Sequence, residues 1–250
     1  NDRRALDECR ALGHKYPEVT SWIRADKGDF RLVKEAQVKE TGLLTPSSDY
    51  HIFYKLKKDR KKAFDDYIEI VEAAWEAGIR PRVHLEDVTR ADIDGFVKPY
   101  VGELVRLSEQ VSPDLHVKIR LCDTMGFGVS TPGVALPRSI PKLVHTMTHE
   151  LGMPHECIEW HGHNDFHKVH INGATAWMYG CNAVNTTLFG FGERTGNPPL
   201  EGALIEYISL HGDLCGIDTM MIQEMADYMR SIGVDIAPNY PFIGRDFNTT

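Results

Sequence analysis

Three features of the chain predict a parallel α/β barrel. Short β-branched runs alternate with helical periods along all 250 residues, three successive strands each carry one polar face, and four strand ends present polar groups at a common rim. The strands are expected at residues 18–25, 38–44, 82–87, 116–123, 157–163 and 183–189. Gly13, Gly78, Gly152 and Gly180 stand ahead of strands in this order, where a helix should end in a left-handed residue.

Amphipathic helices fill the intervals. The clearest is 63–77, in which Ala63, Tyr67, Ile70, Val71 and Ala74 share one stripe, and others are expected at 138–151, 169–179, 200–210 and 219–232. No linker or second domain interrupts the pattern, so residues 1–250 read as a single barrel domain.

Parity along the strands says which face looks inward. Val83 and Leu85 alternate with Arg82, His84 and Glu86; Val117, Ile119 and Leu121 with Lys118, Arg120, Cys122 and Thr124; Ile158 and Trp160 with Glu159, His161 and His163. A parallel strand covered on both faces should be apolar on both, so a repeated polar face calls for a charged lumen beneath a catalytic mouth. Arg82, Lys118, Arg120 and Glu159 read equally well as salt-bridged structural pairs.

Composition narrows the partners. Lys and Arg total 28 against 36 Asp and Glu, a net charge of -8, which excludes a general nucleic-acid or anionic-membrane binder because phosphate contacts need a basic face. The five cysteines include no Cys-x-x-Cys pair and read as reduced thiols. No apolar run approaches the ~18 residues of a membrane span, and Asn1-Asp-Arg-Arg is too charged for a signal peptide, so a cytoplasmic protein is expected. The chain opens without methionine inside a helical pattern, as a fragment would.

The segment His161-Gly-His-Asn-Asp165 holds the strongest chemical signal. Two imidazoles one residue apart at a strand end reach the same side and can share one ion, with Zn, Mn, Fe and Mg all open. The block Gly190-Phe-Gly-Glu-Arg-Thr-Gly-Asn197 follows the next strand. Its glycines are spaced one residue too widely for a dinucleotide fingerprint, and Glu193 and Arg194 fill the loop.

Other rim residues have two readings each. Arg90, after Glu86 and Asp87, can clamp a carboxylate, or the same stretch can simply cap a helix. Thr124 projects on the face of Arg120, and His51 lies in a loop beyond another strand. No Ser-His-Asp pattern, P-loop or Cys-His nucleophile competes with this rim.

The run 161–202 resembles, without gaps, the seventh and eighth strands of the acyl-CoA-dependent 2-oxo acid condensing enzymes, the isopropylmalate, homocitrate, citramalate and Re-type citrate synthases. These share a metal-dependent (β/α)8 TIM barrel with hydroxymethylglutaryl-CoA lyase. Asp49-Tyr-His51 with Lys55-Leu56 resembles the loop after the family's fourth strand, Glu86-Asp87 with Arg90 the end of the fifth, and Asp123-Thr124-x-Gly126 the end of the sixth.

The resemblance implies a divalent cation (Mg, Mn or Zn) held by His161 and His163, with Asn197 as ligand or near neighbour. It implies that Arg90, Thr124 and Arg120 hold the carboxylate of a 2-oxo acid, and that Glu86 and His51 act at the reacting end on acetyl-CoA. Glu193 stands where the lyases carry a catalytic cysteine, which favours a synthase. A homodimer is implied as well. A carbon–carbon lyase or metal-dependent hydrolase on the same barrel, and a non-catalytic regulatory barrel, are the competing readings.

The chain departs from the family pattern in three places. The first-strand Asp-x-Arg motif is absent, Asp2-Arg3-Arg4 lying in a helical context, so the six strands correspond to the third to the eighth of a truncated barrel. The chain stops after Gly244-Arg-Asp-Phe-Asn-Thr-Thr250, before the region where the synthases carry a further histidine. His167 takes a position that is usually glycine and, with Lys168, His170 and Trp177, points to the Re-citrate-synthase-like branch. Residues 1–250 alone are therefore expected to be inactive.

Overall fold

The structure, a computed structural model, describes residues 2–246; Asn1 of the charged start and residues 247–250 of the terminal run lie outside the described residues. The chain divides into two compact units, Asn1–Leu200 and Glu201–Thr250.

The first unit is built on six parallel strands whose spatial order is their sequence order: β1 (Ser21–Arg24), β2 (Glu40–Pro46), β3 (Arg80–Glu86), β4 (Lys118–Asp123), β5 (Ile158–Gly162) and β6 (Ala183–Val184). With no reversal of order and right-handed crossovers, the helices between these strands fall on one face and the other face becomes a lumen. Register puts Arg82 beside Lys118, His84 beside Arg120, Arg120 beside Glu159 and Cys122 beside His161, so the polar parity set shares one face.

The opposite face forms the core. Leu43, Val83, Leu85, Ile119, Leu121, Ile158 and Trp160 pack with the expected stripe of α3 (Arg60–Glu76) and with Tyr100 and Leu104 of α4 (Lys98–Ser108). The Asp59 side chain caps α3 by accepting from Lys62 N at 2.7 Å. The glycines read as helix stops do adopt positive φ, Gly78 at 67° for example. Helices α1 (Asp2–Ala11) and α2 (Lys27–Ala36) precede β1 and β2, and the helix Val169–Met178 joins β5 to β6.

Three expected elements are much shorter than their sequence pattern, the first being the run 18–25, which pairs only at Ser21–Arg24. The run 183–189 pairs only at its first two residues, because Thr187 turns to bridge Pro199 and Phe189 is left-handed at φ 52°, which ends the extended chain. The run 138–151 becomes α-helix only at Ile140–His145, where Ser139 caps and Pro141 occupies the first turn, and then widens to π geometry over Thr146–Glu150. The second unit holds helix Met220–Ser231, most of Leu200–His211, and a Tyr240 hydroxyl that donates to Glu201 Oε1 at 2.5 Å. Among the described residues no helix is long and apolar enough to cross a membrane.

Candidate active site

A cavity of 680 Å³ opens at the C-terminal ends of the strands. Glu86, Arg120, Thr124, His161, His163, Glu193 and Asn197 line it, together with Trp22, Lys55, Arg82, His84, Cys122 and Asn185. His51 and Arg90 do not.

The floor is a ladder of ion pairs. Glu40 receives Arg82 and Lys118, the latter at 2.8 Å, while Glu159 receives Arg82 at 3.2 Å and Arg120 at 2.6 Å. Three cations face two carboxylates, so the floor keeps an excess of positive charge. The two sequence readings therefore coexist in Arg82 and Arg120, which are paired and line the cavity, whereas Lys118 and Glu159 are paired beneath it without lining it.

Above them the two imidazoles converge. Nε2 of His161 lies 3.1 Å from Nε2 of His163, with the rings nearly perpendicular at 84°. Burial, with His163 and Arg120 beside it, pushes His161 down to about 3, and burial with Arg194 nearby lowers His163, so both present neutral nitrogens, the form that ligates a metal. Their Nδ1 atoms and the Oδ1 of Asn197 are buried without hydrogen-bond partners, and Asn185 lies against His161. Two neutral imidazoles at about the separation of adjacent ligands on one ion, beside an orphaned amide oxygen, fit a divalent cation. Among the described residues no group of three or more His, Cys, Asp or Glu side chains comes together, so the chain offers these two imidazoles and the amide.

The glycine-rich loop brings Asn197 in. A Cβ on Gly192 would overlap the Asn197 amide, Asn197 N donates to Gly190 O at 2.9 Å, and Arg194, left-handed at φ 52°, locks the loop in place. Its guanidinium donates to both carboxylate oxygens of Asp165, at 2.9 and 3.1 Å, and to Thr124 O at 2.5 Å. That contact holds Asp165 below the usual carboxylate range. Glu193, one residue earlier, has a largely exposed side chain. His167, where the sequence departs from glycine, has φ 55°, the conformation that position demands.

On the opposite wall Lys55 Nζ donates to Glu86 at 2.8 and 3.1 Å, and His51 Nδ1 approaches Glu86 Oε2 at 3.5 Å from behind. Burial raises the Glu86 carboxyl, but the His51 and Lys55 contacts outweigh it and hold the group below its ordinary value. Thr124 Oγ1 accepts from Asp87 N at 2.8 Å.

Arg90 is used differently. Its Nε donates to Asp87 at 2.8 and 3.0 Å, and its plane lies between the rings of Tyr50 and Phe127. Asp87, buried and left-handed at φ 66°, turns the chain so that Arg90 folds back on it. Burial pushes the Cys122 thiol up to about 12, which disfavours its thiolate.

Trp22, His84 and Asn185 are lining residues that escaped the sequence reading of the site. His84 is buried and accepts at Nδ1 from the indole of Trp22 at 3.2 Å; burial, Arg120 and Arg82 push its pKa well down. Its place between Arg82 and Glu86 in the lumen parity was the available signal, whereas nothing in the sequence near Trp22 marks it.

Known proteins resemble this chain in sequence and in fold. The chain is 55% identical over its whole length to the citrate (Re)-synthase of Syntrophus aciditrophicus, matching 39% of that protein, and 48% identical to that of Clostridium kluyveri, matching 55%. It is 39% identical over 93% of its length to the 2-phosphinomethylmalate synthase of Streptomyces hygroscopicus, matching 53% of it. The chain thus spans about half, or less, of the length of these relatives. Among solved structures, hydroxymethylglutaryl-CoA lyase from Pseudomonas aeruginosa superposes with a TM-score of 0.68 at 19% identity, covering 94% of this chain and 76% of that one, a likeness of fold. Residues 3–229 match the HMGL-like family model, and the chain belongs to the HMGL-like family.

Proposed function

We propose that this chain supplies six strands of a metal-dependent barrel that condenses the acetyl group of acetyl-CoA with a 2-oxo acid. The convergence of His161 and His163 at 3.1 Å, over a floor with excess positive charge, carries the reading. The relatives named citrate (Re)-synthase support citrate as the product, and hence a four-carbon 2-oxo dicarboxylate, oxaloacetate, as the acceptor. The excess cation of the floor suits a dianion better than a monoanion.

His161 and His163, with Asn197, would hold a Mg, Mn or Zn ion, which when bound polarises the acceptor ketone as a Lewis acid. Arg120 and Thr124 stand on the same face to orient the acceptor carboxylates. Glu86, kept as a carboxylate by Lys55 and His51, takes a proton from the acetyl methyl group. The resulting enolate adds to the ketone carbon, and water then cleaves the thioester to release CoA. Glu193 borders the cavity where a lyase-type thiol would be expected. Arg90, placed on Asp87, supports the loop that carries Thr124's partner rather than the substrate. The proposal includes a cytoplasmic homodimer, which analytical ultracentrifugation of the full-length protein checks.

The test is thiol release by the full-length protein containing this chain, supplied with acetyl-CoA, Mn or Mg, and oxaloacetate, pyruvate, 2-oxoglutarate or 2-oxoisovalerate in turn. Release dependent on oxaloacetate is expected. No oxo-acid-dependent release with any of them overturns the condensation reading, and a preference for another acid overturns the citrate assignment. Residues 1–250 alone are expected to show no turnover.

A further inference from the structure

Taking a methyl proton from acetyl-CoA relocates a negative charge, and the cavity wall has to answer that move. On the condensation reading, on which this inference rests, the charge starts on Glu86, whose two oxygens accept from Lys55 Nζ at 2.8 and 3.1 Å. After the transfer Glu86 is a neutral acid and the charge sits on the thioester oxygen. A cation rigidly bound to Glu86 would then face a neutral group and oppose the step by the loss of its ion pair.

Lys55 is not bound in that way. It ends the single helical turn Tyr50–Lys55, its side chain is 48% exposed, and it lines the same cavity as Glu86. Among the described residues its ammonium pairs with Glu86 alone. The other lining cations differ: Arg82 and Arg120 are fixed on Glu40 and Glu159, carboxylates whose charge the reaction does not change. Lysine also suits the task, being a point charge on a flexible stem rather than a rigid fork.

We propose that Lys55 is a catalytic residue whose ammonium follows the negative charge from the Glu86 carboxylate to the enolate oxygen of the acetyl thioester. The methyl C–H bond breaks, an O–H bond forms on Glu86, and the C–H electron pair becomes the enolate C=C as the carbonyl pair moves to oxygen. Lys55 keeps its protons throughout and returns to Glu86 when that acid gives its proton to the alkoxide left on the former ketone oxygen by enolate addition. No oxidant, reductant or further reactant is needed.

The experiment compares wild type, Lys55→Met, Lys55→Gln and Lys55→Arg in the full-length protein, with oxaloacetate, Mn and acetyl-CoA carrying a protiated or trideuterated acetyl group. Both neutral variants should lose about 10²- to 10³-fold in kcat with the KM for the oxo acid little changed, as when one oxyanion donor is removed. The deuterium isotope effect on kcat should be fully expressed in them, and Lys55→Arg should recover part of the rate. Unchanged kcat in the neutral variants overturns the proposal. So does a rate loss without an isotope effect, or one confined to the KM for acetyl-CoA. A wild type that turns over separates these failures from failure of the condensation reading, which shows itself as absence of CoA release by the wild type.

Discussion

The lumen of the sheet uses its polar side chains in two opposite ways. In the lower layer Glu40, Arg82, Lys118, Arg120 and Glu159 are tied into one ladder, each charge with a partner. At the rim, the Nδ1 atoms of His161 and His163 and the Oδ1 of Asn197 are buried without one. Buried polar groups left unmatched by protein lower stability, so a fold keeps them where a ligand will complete them. The lower layer should therefore answer to stability measurements and the rim to ligand and rate measurements.

The largest expected effect would break the lower layer. Glu159→Gln leaves Arg82 and Arg120 without their shared carboxylate, and both arginines are mostly buried. A loss of about 3–5 kcal/mol of folding stability is expected, read by denaturant unfolding. A loss below ~1 kcal/mol would show that the ladder is not structural and would erase the distinction between the layers.

At the rim, His163→Ala should act on the ligand instead. Removing a direct ligand should exceed the loss caused by removing a supporting group, so a fall of at least ~100-fold in divalent-metal affinity is expected by titration calorimetry. The thermal midpoint without metal should hardly fall, because the imidazole has no hydrogen bond from Nδ1 to lose. A large drop in that midpoint would make His163 a member of the structural layer.

The two layers were not equally legible in the sequence. Alternation with a period of two assigns Arg82, His84, Glu86, Arg120, Glu159, His161 and His163 to one face, because that period is a local property of the strand. Pairing is not local. Glu40 belongs to a strand whose lumen side continues through Gly42 and Leu44, so no polar parity marks it, and its partner Arg82 comes from the next strand, where it stands opposite Gly42. Trp22 and His84 meet across 62 residues of sequence for the same reason. Arg90 shows a different limit: whether a guanidinium points to a cavity or back to Asp87 depends on one left-handed residue, Asp87 itself.

A third test sharpens the comparison through pH. Contacts from His51 and Lys55 hold Glu86 below its ordinary value against the upward push of burial. A step that needs the carboxylate then persists below the usual glutamate range and is lost only as pH falls through the depressed pKa. His51→Asn removes one lowering contact, so the acid limb of the kcat/KM profile should move to higher pH. An unmoved limb would mean that Glu86 is not the group titrating in catalysis.

The smallest effect expected lies in the loop that joins rim to sheet. Arg194 makes a two-pronged contact with Asp165 and reaches Thr124 O, a geometry that Lys cannot copy. Arg194 is 35% exposed and Asp165 17%, so solvent screening limits the cost of Arg194→Lys to about 1 kcal/mol. The sign of its pH dependence follows from Asp165, whose pKa the guanidinium lowers. That stabilisation is fully present above the unfolded-state pKa of the carboxyl and disappears as pH falls through the folded-state value. Unfolding curves of wild type and Arg194→Lys should thus differ at neutral pH and converge in acid. If they differ equally at both, the contact to Thr124 O, which carries no titrating group, is what Arg194 contributes, and the loop is held to the end of β4 rather than to the turn after β5.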